Sequence, residues 1–283
     1  VPQEAGLSHV LEHMLFKGTA EGGTGDIART VEGCGGEINA FTSFDQTVLH
    51  LVVPSRYFQR GLDVAYDAVM SPALDPEEFR REKEVILEEI HRGDDDPSMR
   101  LSKAVFAQIY RQHPYGRPVI GTAESVMGLS IESVRDYHRR WYRPSNITLV
   151  VVGDVSTAEV MESIEARFAG HDLQPRPARI RAQEPPQEDL RVCGLEESVM
   201  EARVEVAFPL PAVAHTDIPI ADVLALILGQ GESSRLNQEI RIRRRLANHI
   251  QAFSYTPVDP GIFLLGLGCP PSDTLEASET LGQ

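Results

Sequence analysis

A chain of 283 residues with a formal charge of −15 at pH 7 is long enough for one or two folded domains. The excess of 42 Asp and Glu over 27 Lys and Arg argues against a nucleic-acid partner and is compatible with basic or extended peptides. No stretch approaches the roughly 18 apolar residues of a membrane span, and three widely spaced cysteines indicate neither a disulfide framework nor a thiolate metal site. We therefore expect a soluble protein. We expect it in a bacterial-type cytoplasm or periplasm, and the sequence does not distinguish the two.

Hydrophobic periodicity predicts helices mixed with a few strands. In chain order, the predicted elements are helices over 7–17 and 26–32, strands over 37–42 and 47–53, helices over 55–70, 76–92, 98–111 and 131–141, a buried strand over 146–153, a helix ending near 168, a strand over 202–208, helices over 217–229 and 233–245, and a strand over 262–267. The two strands over 37–53 are expected to pair as an antiparallel hairpin. Four prolines among polar residues make 171–190 a predicted linker.

Two histidines on the first predicted helix form a candidate metal site. His9 and His13 lie four residues apart, on one helical face, which is the spacing that two ligands of one zinc ion require. Glu12 lies beside them in the order His-x-x-Glu-His, the inverse of the commoner zincin motif. Such a carboxylate can take the proton as a zinc-activated water attacks a peptide carbonyl. The motif predicts ligands at His9 and His13 and a general base at Glu12, with a pair of surface histidines as the alternative.

Helix 76–92 supplies the candidate third ligand. Its apolar stripe, spaced by three and four residues, contains two carboxylates, Glu82 and Glu89. A carboxylate that faces inward is costly unless it is paired, hydrogen-bonded or bound to metal. This favours Glu89 over its neighbour Glu88 as the ligand. The alternative is that Glu82 and Glu89 form buried ion pairs with arginines.

Three stretches resemble the pitrilysin/insulinase family of metallopeptidases, which includes mitochondrial processing peptidase. Residues 6–19, Gly-Leu-Ser-His-Val-Leu-Glu-His-Met-Leu-Phe-Lys-Gly-Thr, resemble the active-site helix of the family. Glu82 and Glu89 resemble its downstream glutamate pair, and residues 36–42 resemble its substrate-binding strand. The resemblance implies a zinc-dependent endopeptidase for extended or unfolded peptides, with one zinc ion per active site. It makes Glu89 the third ligand and gives Glu82 the task of orienting a ligand.

The resemblance also assigns substrate-binding residues. It implies that Asn39, Ala40 and Phe41 bind extended peptide by β-augmentation next to the scissile bond; an ordinary strand is the alternative. Residues 233–241 resemble a later segment in which an Arg, and a Tyr seven positions on, polarise the substrate carbonyl. Arg241 matches, but Asn248 occupies the Tyr position, so either the Asn amide donates instead or activity is reduced. For Arg241, the alternative is a place in a solvated run of arginines.

The implied fold is α+β, with two homologous domains, each an antiparallel or mixed sheet with helices packed on one face. We expect a catalytic domain over 1–170 without its opening strands, the linker over 171–190, and the start of a second domain, which binds no zinc, over 191–283. A second half in the same chain or in a homologous subunit would complete a chamber for the peptide. A catalytically silent relative that serves as a subunit or assembly protein is the alternative function.

Overall fold

The computed structural model of the protein describes residues 4–171, 174–179 and 181–282. The chain forms two compact units. The first consists of Val1–His91 and Pro118–Ile180, and the second of Arg92–Arg117 and Arg181–Gln283. Helices and small antiparallel sheets occur in both units, which confirms the predicted α+β class. The domain ranges given above stay a prediction.

Ten α-helices and five strands account for most of the regular structure in the described residues. They are α1 (Leu7–Leu15), α2 (Asp26–Gly33), β1 (Glu37–Thr42), β2 (Thr47–Val52), α3 (Phe58–Met70), α4 (Pro76–Asp95), α5 (Pro97–Ile109), α6 (Ala123–Gly128), α7 (Ile131–Trp141), α8 (Thr157–Phe168), β3 (Ala202–Pro209), α9 (Ile218–Gly229), β4 (His249–Tyr255), β5 (Ile262–Cys269) and α10 (Thr274–Leu281). No helix among the described residues is both long and apolar enough to cross a membrane.

Helix α1 begins after a glycine that no other residue can replace without strain. Gly6 has φ = 89°, and a Cβ atom at this position would lie 2.8 Å from the carbonyl oxygen of Ile120. The apolar side of α1 is buried in a core shared with α4 and α7; its members there are Leu7, Val10, Leu11, Met14 and Leu15. Burial of this side fixes which way the opposite, polar side faces.

Strands β1 and β2 form the predicted antiparallel hairpin, with Asn39 opposite His50 and Thr42 opposite Thr47. Within the described residues, β1 has no strand partner on its other edge. Helix α4 begins as predicted after Asp75, whose side chain accepts hydrogen bonds from the first turn (2.8 and 3.0 Å).

The second unit is built on a three-stranded antiparallel sheet in the order β3-β5-β4. One apolar cluster joins this sheet to α9, α10 and a π-helical segment over Asn237–Arg243. The segment lies within the helix predicted over 233–245, but its hydrogen bonds have the wider π spacing. The predicted strands near 202–208 and 262–267 and the predicted helix over 217–229 are confirmed as β3, β5 and α9.

The prediction of a buried strand over 146–153 is wrong. Residues 147–152 have no strand structure, and Val150 and Val152 are 76% and 92% exposed. A strand needs neighbours to satisfy its backbone groups, and none of the described strands pairs with this segment. Sequence analysis also missed α6, β4 and α10. The signal for β4 was short, because only two of its residues, Ile250 and Ala252, are fully buried.

Neighbouring residues on α4 offer a test of the first unit's core. Ile86 is completely buried, whereas Val85 is 50% exposed. We expect Ile86→Ala to lower the free energy of unfolding by about 2–5 kcal/mol, because it leaves a cavity. Val85→Ala, the control, should change it by less than about 0.5 kcal/mol. Urea denaturation followed by circular dichroism measures both, and equal effects would contradict this packing.

Candidate metal centre

The structure brings His9 and His13 of α1 together with Glu89 of α4. The Nε2 atoms of His9 and His13 lie 3.8 and 3.7 Å from Oε2 of Glu89. All three ligand atoms lie within 4.8 Å of one another, and no other group of three or more His, Cys, Asp or Glu side chains in the described part of the chain meets this condition. The predicted ligand set is thus a cluster in space, with members 76 positions apart in sequence.

The chemistry and spacing of this cluster fit a zinc ion. Ligand atoms about 2.0–2.1 Å from a tetrahedral zinc are about 3.3 Å apart. The two separations between the histidines and Glu89, 3.8 and 3.7 Å, are slightly larger than this and too long for hydrogen bonds between the side chains. Burial lowers the pKa of His9, and the neighbouring His13 lowers it further, while Glu89 and Glu12 act in the opposite direction. The net shift favours the neutral imidazole, which is the form that binds metal.

The ring of His13 is held from behind by Glu82. Nδ1 of His13 lies 3.0 Å from Oε2 of Glu82, so the Nδ1–H group donates and Nε2 keeps its lone pair on the Glu89 side. Glu82 is only 6% exposed, and Nζ of Lys17 lies 2.6 Å from its other oxygen, Oε1. Nδ1 of His9, by contrast, is buried and finds no hydrogen-bond partner among the described atoms. The His9 ring therefore has no counterpart of Glu82 among the described residues; it lies against the His13 ring, with the ring centroids 4.8 Å apart.

Glu12 is held by a threonine on β1. The hydroxyl of Thr42 donates to Oε2 of Glu12 and lies 3.1 Å from the hydroxyl of Thr47, its partner across the hairpin. The hairpin thus orients the carboxylate that the motif predicts as the general base. Thr42 was missed as a site residue by sequence analysis. The signal was its place at the end of the Asn-Ala-Phe-Thr strand, on the same face as Ala40.

The predicted substrate residues lie on β1, the strand of the hairpin whose other edge has no strand partner in the described parts of the chain. Asn39 and Phe41 are exposed, Phe41 to 49%, while Ala40 between them is half-buried. The amide of Ala40 donates to the side-chain oxygen of Asn39 (2.8 Å). The side chains of Asn39 and Phe41 thus face solvent, and the role of Asn39, Ala40 and Phe41 in peptide binding stays a prediction.

Arg241 and Asn248 lie in the second unit. Arg241 is in the π-helical segment, where its guanidinium group is 3.5 Å from the side-chain oxygen of Asn237. Asn248 is exposed and donates to Glu201 (2.8 Å). The side-chain amide of Asn248 thus acts as a donor, but it donates to Glu201 at the surface. The predicted role of Arg241 in polarising a substrate carbonyl stays a prediction.

Glu82 and Glu89 differ in burial, although the apolar stripe predicted that both face inward. Glu82 does so, but the side chain of Glu89 is 48% exposed, because it points along the surface to the two histidines. Val85, which lies three positions after Glu82, is also exposed. The buried stripe of α4 is narrower than predicted and consists of Phe79, Glu82, Ile86 and Ile90.

Two family models match this chain. The model described as "Insulinase (Peptidase family M16)" matches residues 1–123, which include the cluster. The model described as "Peptidase M16 inactive domain" matches residues 128–282.

Bacterial proteins are among those to which this chain is similar. The chain is 31% identical to an uncharacterized zinc protease of Streptomyces coelicolor, over 96% of this chain and 60% of that protein. It is 30% identical to an uncharacterized zinc protease of Mycobacterium leprae, over 99% of this chain and 63% of that protein. The crystal structure of a protease from Helicobacter pylori superposes with a TM-score of 0.92 at 29% identity, over 98% of this chain and 69% of that one. This chain therefore spans about 60% of the length of these two curated relatives.

Neighbouring glutamates on α4 offer a matched test of the cluster. We expect the protein to bind one zinc ion and Glu89→Ala to weaken binding by more than the roughly 10–100-fold that loss of a supporting residue costs. Glu88→Ala should bind zinc as the parent does, because Glu88 is exposed and lies outside the cluster. Competition with a fluorescent chelator measures the affinities. Equal losses in the two variants would contradict this ligand set.

Proposed function

Because the chain belongs to the insulinase family of peptidases, peptidase family M16, we propose that it is a zinc-dependent endopeptidase. In this proposal, His9, His13 and Glu89 hold the zinc ion and Glu12 is the general base. One observation supports it above all: α1 and α4 bring three suitable ligand atoms within 4.8 Å, on the same helix that carries Glu12.

The proposed division of labour follows from the side chains. The chemistry that a bound zinc ion supplies is a lower pKa for its water molecule and a polarised substrate carbonyl. The Glu12 carboxylate accepts the proton of the attacking water and later delivers a proton to the leaving amine. Thr42 donates to Oε2 of Glu12 and so restricts the rotation of this carboxylate. Glu82 accepts the Nδ1–H of His13 and keeps the Nε2 lone pair directed at the site.

The proposed substrate is an extended or unfolded peptide. The edge of β1 that has no strand partner among the described residues can accept a peptide as a further strand, with backbone hydrogen bonds that do not depend on sequence. Asn39, Ala40 and Phe41 would then lie beside the bond that is cut. Thr42 joins this edge strand to Glu12, so the same strand would align the peptide and the base.

The activity of the whole protein would need more than these residues. We propose that a second half, in the same polypeptide or in a homologous subunit, encloses the peptide together with this chain. The relatives are longer than this chain, which agrees with that proposal. A bacterial cytoplasmic or periplasmic location stays a prediction.

A catalytically silent role in an assembly is the second candidate function. It is favoured by the match of residues 128–282 to the inactive domain of the family and by Asn248 in the position where the resemblance expects a Tyr. The site in the first unit favours the enzyme, since a silent subunit needs neither a cluster of metal ligands nor an oriented Glu12.

The variant Glu12→Gln separates the two functions. It should keep one zinc ion but lower kcat for a quenched-fluorescence peptide by about 10²–10⁴-fold, because a carboxamide cannot accept the proton. Elemental analysis and peptide cleavage in the same samples measure both properties.

Glu88→Gln is the control for this experiment and should match the parent in both measurements. A parent protein that binds zinc without cleaving any peptide would favour the silent role. Zinc-loaded Glu12→Gln with the parent's kcat would exclude Glu12 as the base.

A further inference from the structure

Lys17 lies directly behind the metal cluster, two residues beyond the end of α1. Its side chain lies on the same side as that of His13, since both contact the carboxylate of Glu82. Its backbone amide donates to the carbonyl of Met14 (3.2 Å), and the hydroxyl of Thr24 donates to its carbonyl (3.3 Å). Both contacts fix the start of a side chain that is only 27% exposed.

The ammonium group of Lys17 contacts the carboxylate of Glu82, which also accepts a hydrogen bond from His13. Nζ of Lys17 lies 2.6 Å from Oε1 of Glu82, while Oε2 of Glu82 accepts from Nδ1 of His13 at 3.0 Å. The Glu82 side chain is only 8% exposed, so water has little access to either of its oxygens. A buried carboxylate that loses one partner carries an uncompensated charge and must find another arrangement. Lys17 and His13 therefore depend on the same group.

We propose that Lys17 is a positioning residue for the zinc site: it holds Glu82 in place, and Glu82 in turn orients His13. The proposal rests on the proposed function, since it requires His13 as a zinc ligand. The ammonium group of Lys17 contacts Glu82 and not a predicted ligand, so its effect passes through one carboxylate. This effect competes with simple electrostatics, because a positive charge near the site repels a zinc ion.

The two effects predict opposite results for Lys17→Met. If positioning dominates, zinc affinity falls by about tenfold or more, as for other residues that support a ligand. If Lys17 were only a nearby positive charge, removal of that charge would raise the affinity. Lys17→Arg keeps a cation within reach of Glu82 and should retain more affinity than Lys17→Met.

A matched control is available in the second unit. Lys103 pairs with Asp94 at 2.7 Å and its side chain is 29% exposed, close to the values for Lys17, but it lies outside the cluster. Lys103→Met should leave zinc affinity unchanged. Thermal unfolding of the zinc-free variants by circular dichroism shows whether each one folds.

The deciding experiment is a double-mutant cycle on zinc affinity, measured by chelator competition in the complete protein. Lys17→Met should weaken binding in the parent, but in a Glu82→Gln background it should change the affinity by less than about twofold. Unchanged or stronger binding by Lys17→Met, or an equal loss in both backgrounds, would overturn the positioning role. A parent that binds no zinc would instead overturn the proposed function and this inference with it. If Lys17→Met does not fold, Lys17→Gln, which also removes the charge, gives the same comparison in the parent and in the Glu82→Gln background.

Discussion

Burial of the apolar side of α1 is the constraint on which the site depends. Five side chains of this nine-residue helix are packed into the core shared with α4 and α7. Since a helix has a fixed periodicity, that burial also fixes the direction in which His9, Glu12 and His13 point. The same core fixes the position of α4 relative to α1, and so the distance of Glu89 from the histidines. Zinc chemistry in this protein would rest on the packing of leucines and isoleucines.

The sequence predicted those parts of the site that local geometry determines. The spacing of His9 and His13 implies a shared face once the helix is granted, and Glu89 was preferred over Glu88 through the periodicity of α4. The hairpin was equally predictable, because both strands alternate and lie close in sequence. The structure gathers the three predicted ligands into one cluster. Their exposure was less predictable, because it depends on where α4 emerges from the core.

Contacts between distant residues were the ones that sequence analysis missed. Lys17 and Thr42 lie in stretches that it had singled out, yet nothing local shows that Lys17 reaches Glu82, 65 positions away, or that Thr42 reaches Glu12. The wrong prediction of a strand over 146–153 has the same cause, because strand formation also depends on residues that are distant in sequence. An apolar run indicates a tendency to form a strand, but a strand exists only where a partner strand offers its backbone. Local sequence patterns thus predict helices and strands, whereas residues that support a ligand or a base can be identified only from the three-dimensional structure.

Anomalous diffraction at the zinc absorption edge, from crystals of the protein grown with zinc, would locate the metal ion directly. We expect one peak at about 2.0–2.2 Å from Nε2 of His9, Nε2 of His13 and a carboxylate oxygen of Glu89. Nδ1 of His13 should still contact Glu82 in the same crystals. A zinc-loaded protein whose peak lies elsewhere, or a map without a peak at these three side chains, would contradict the account.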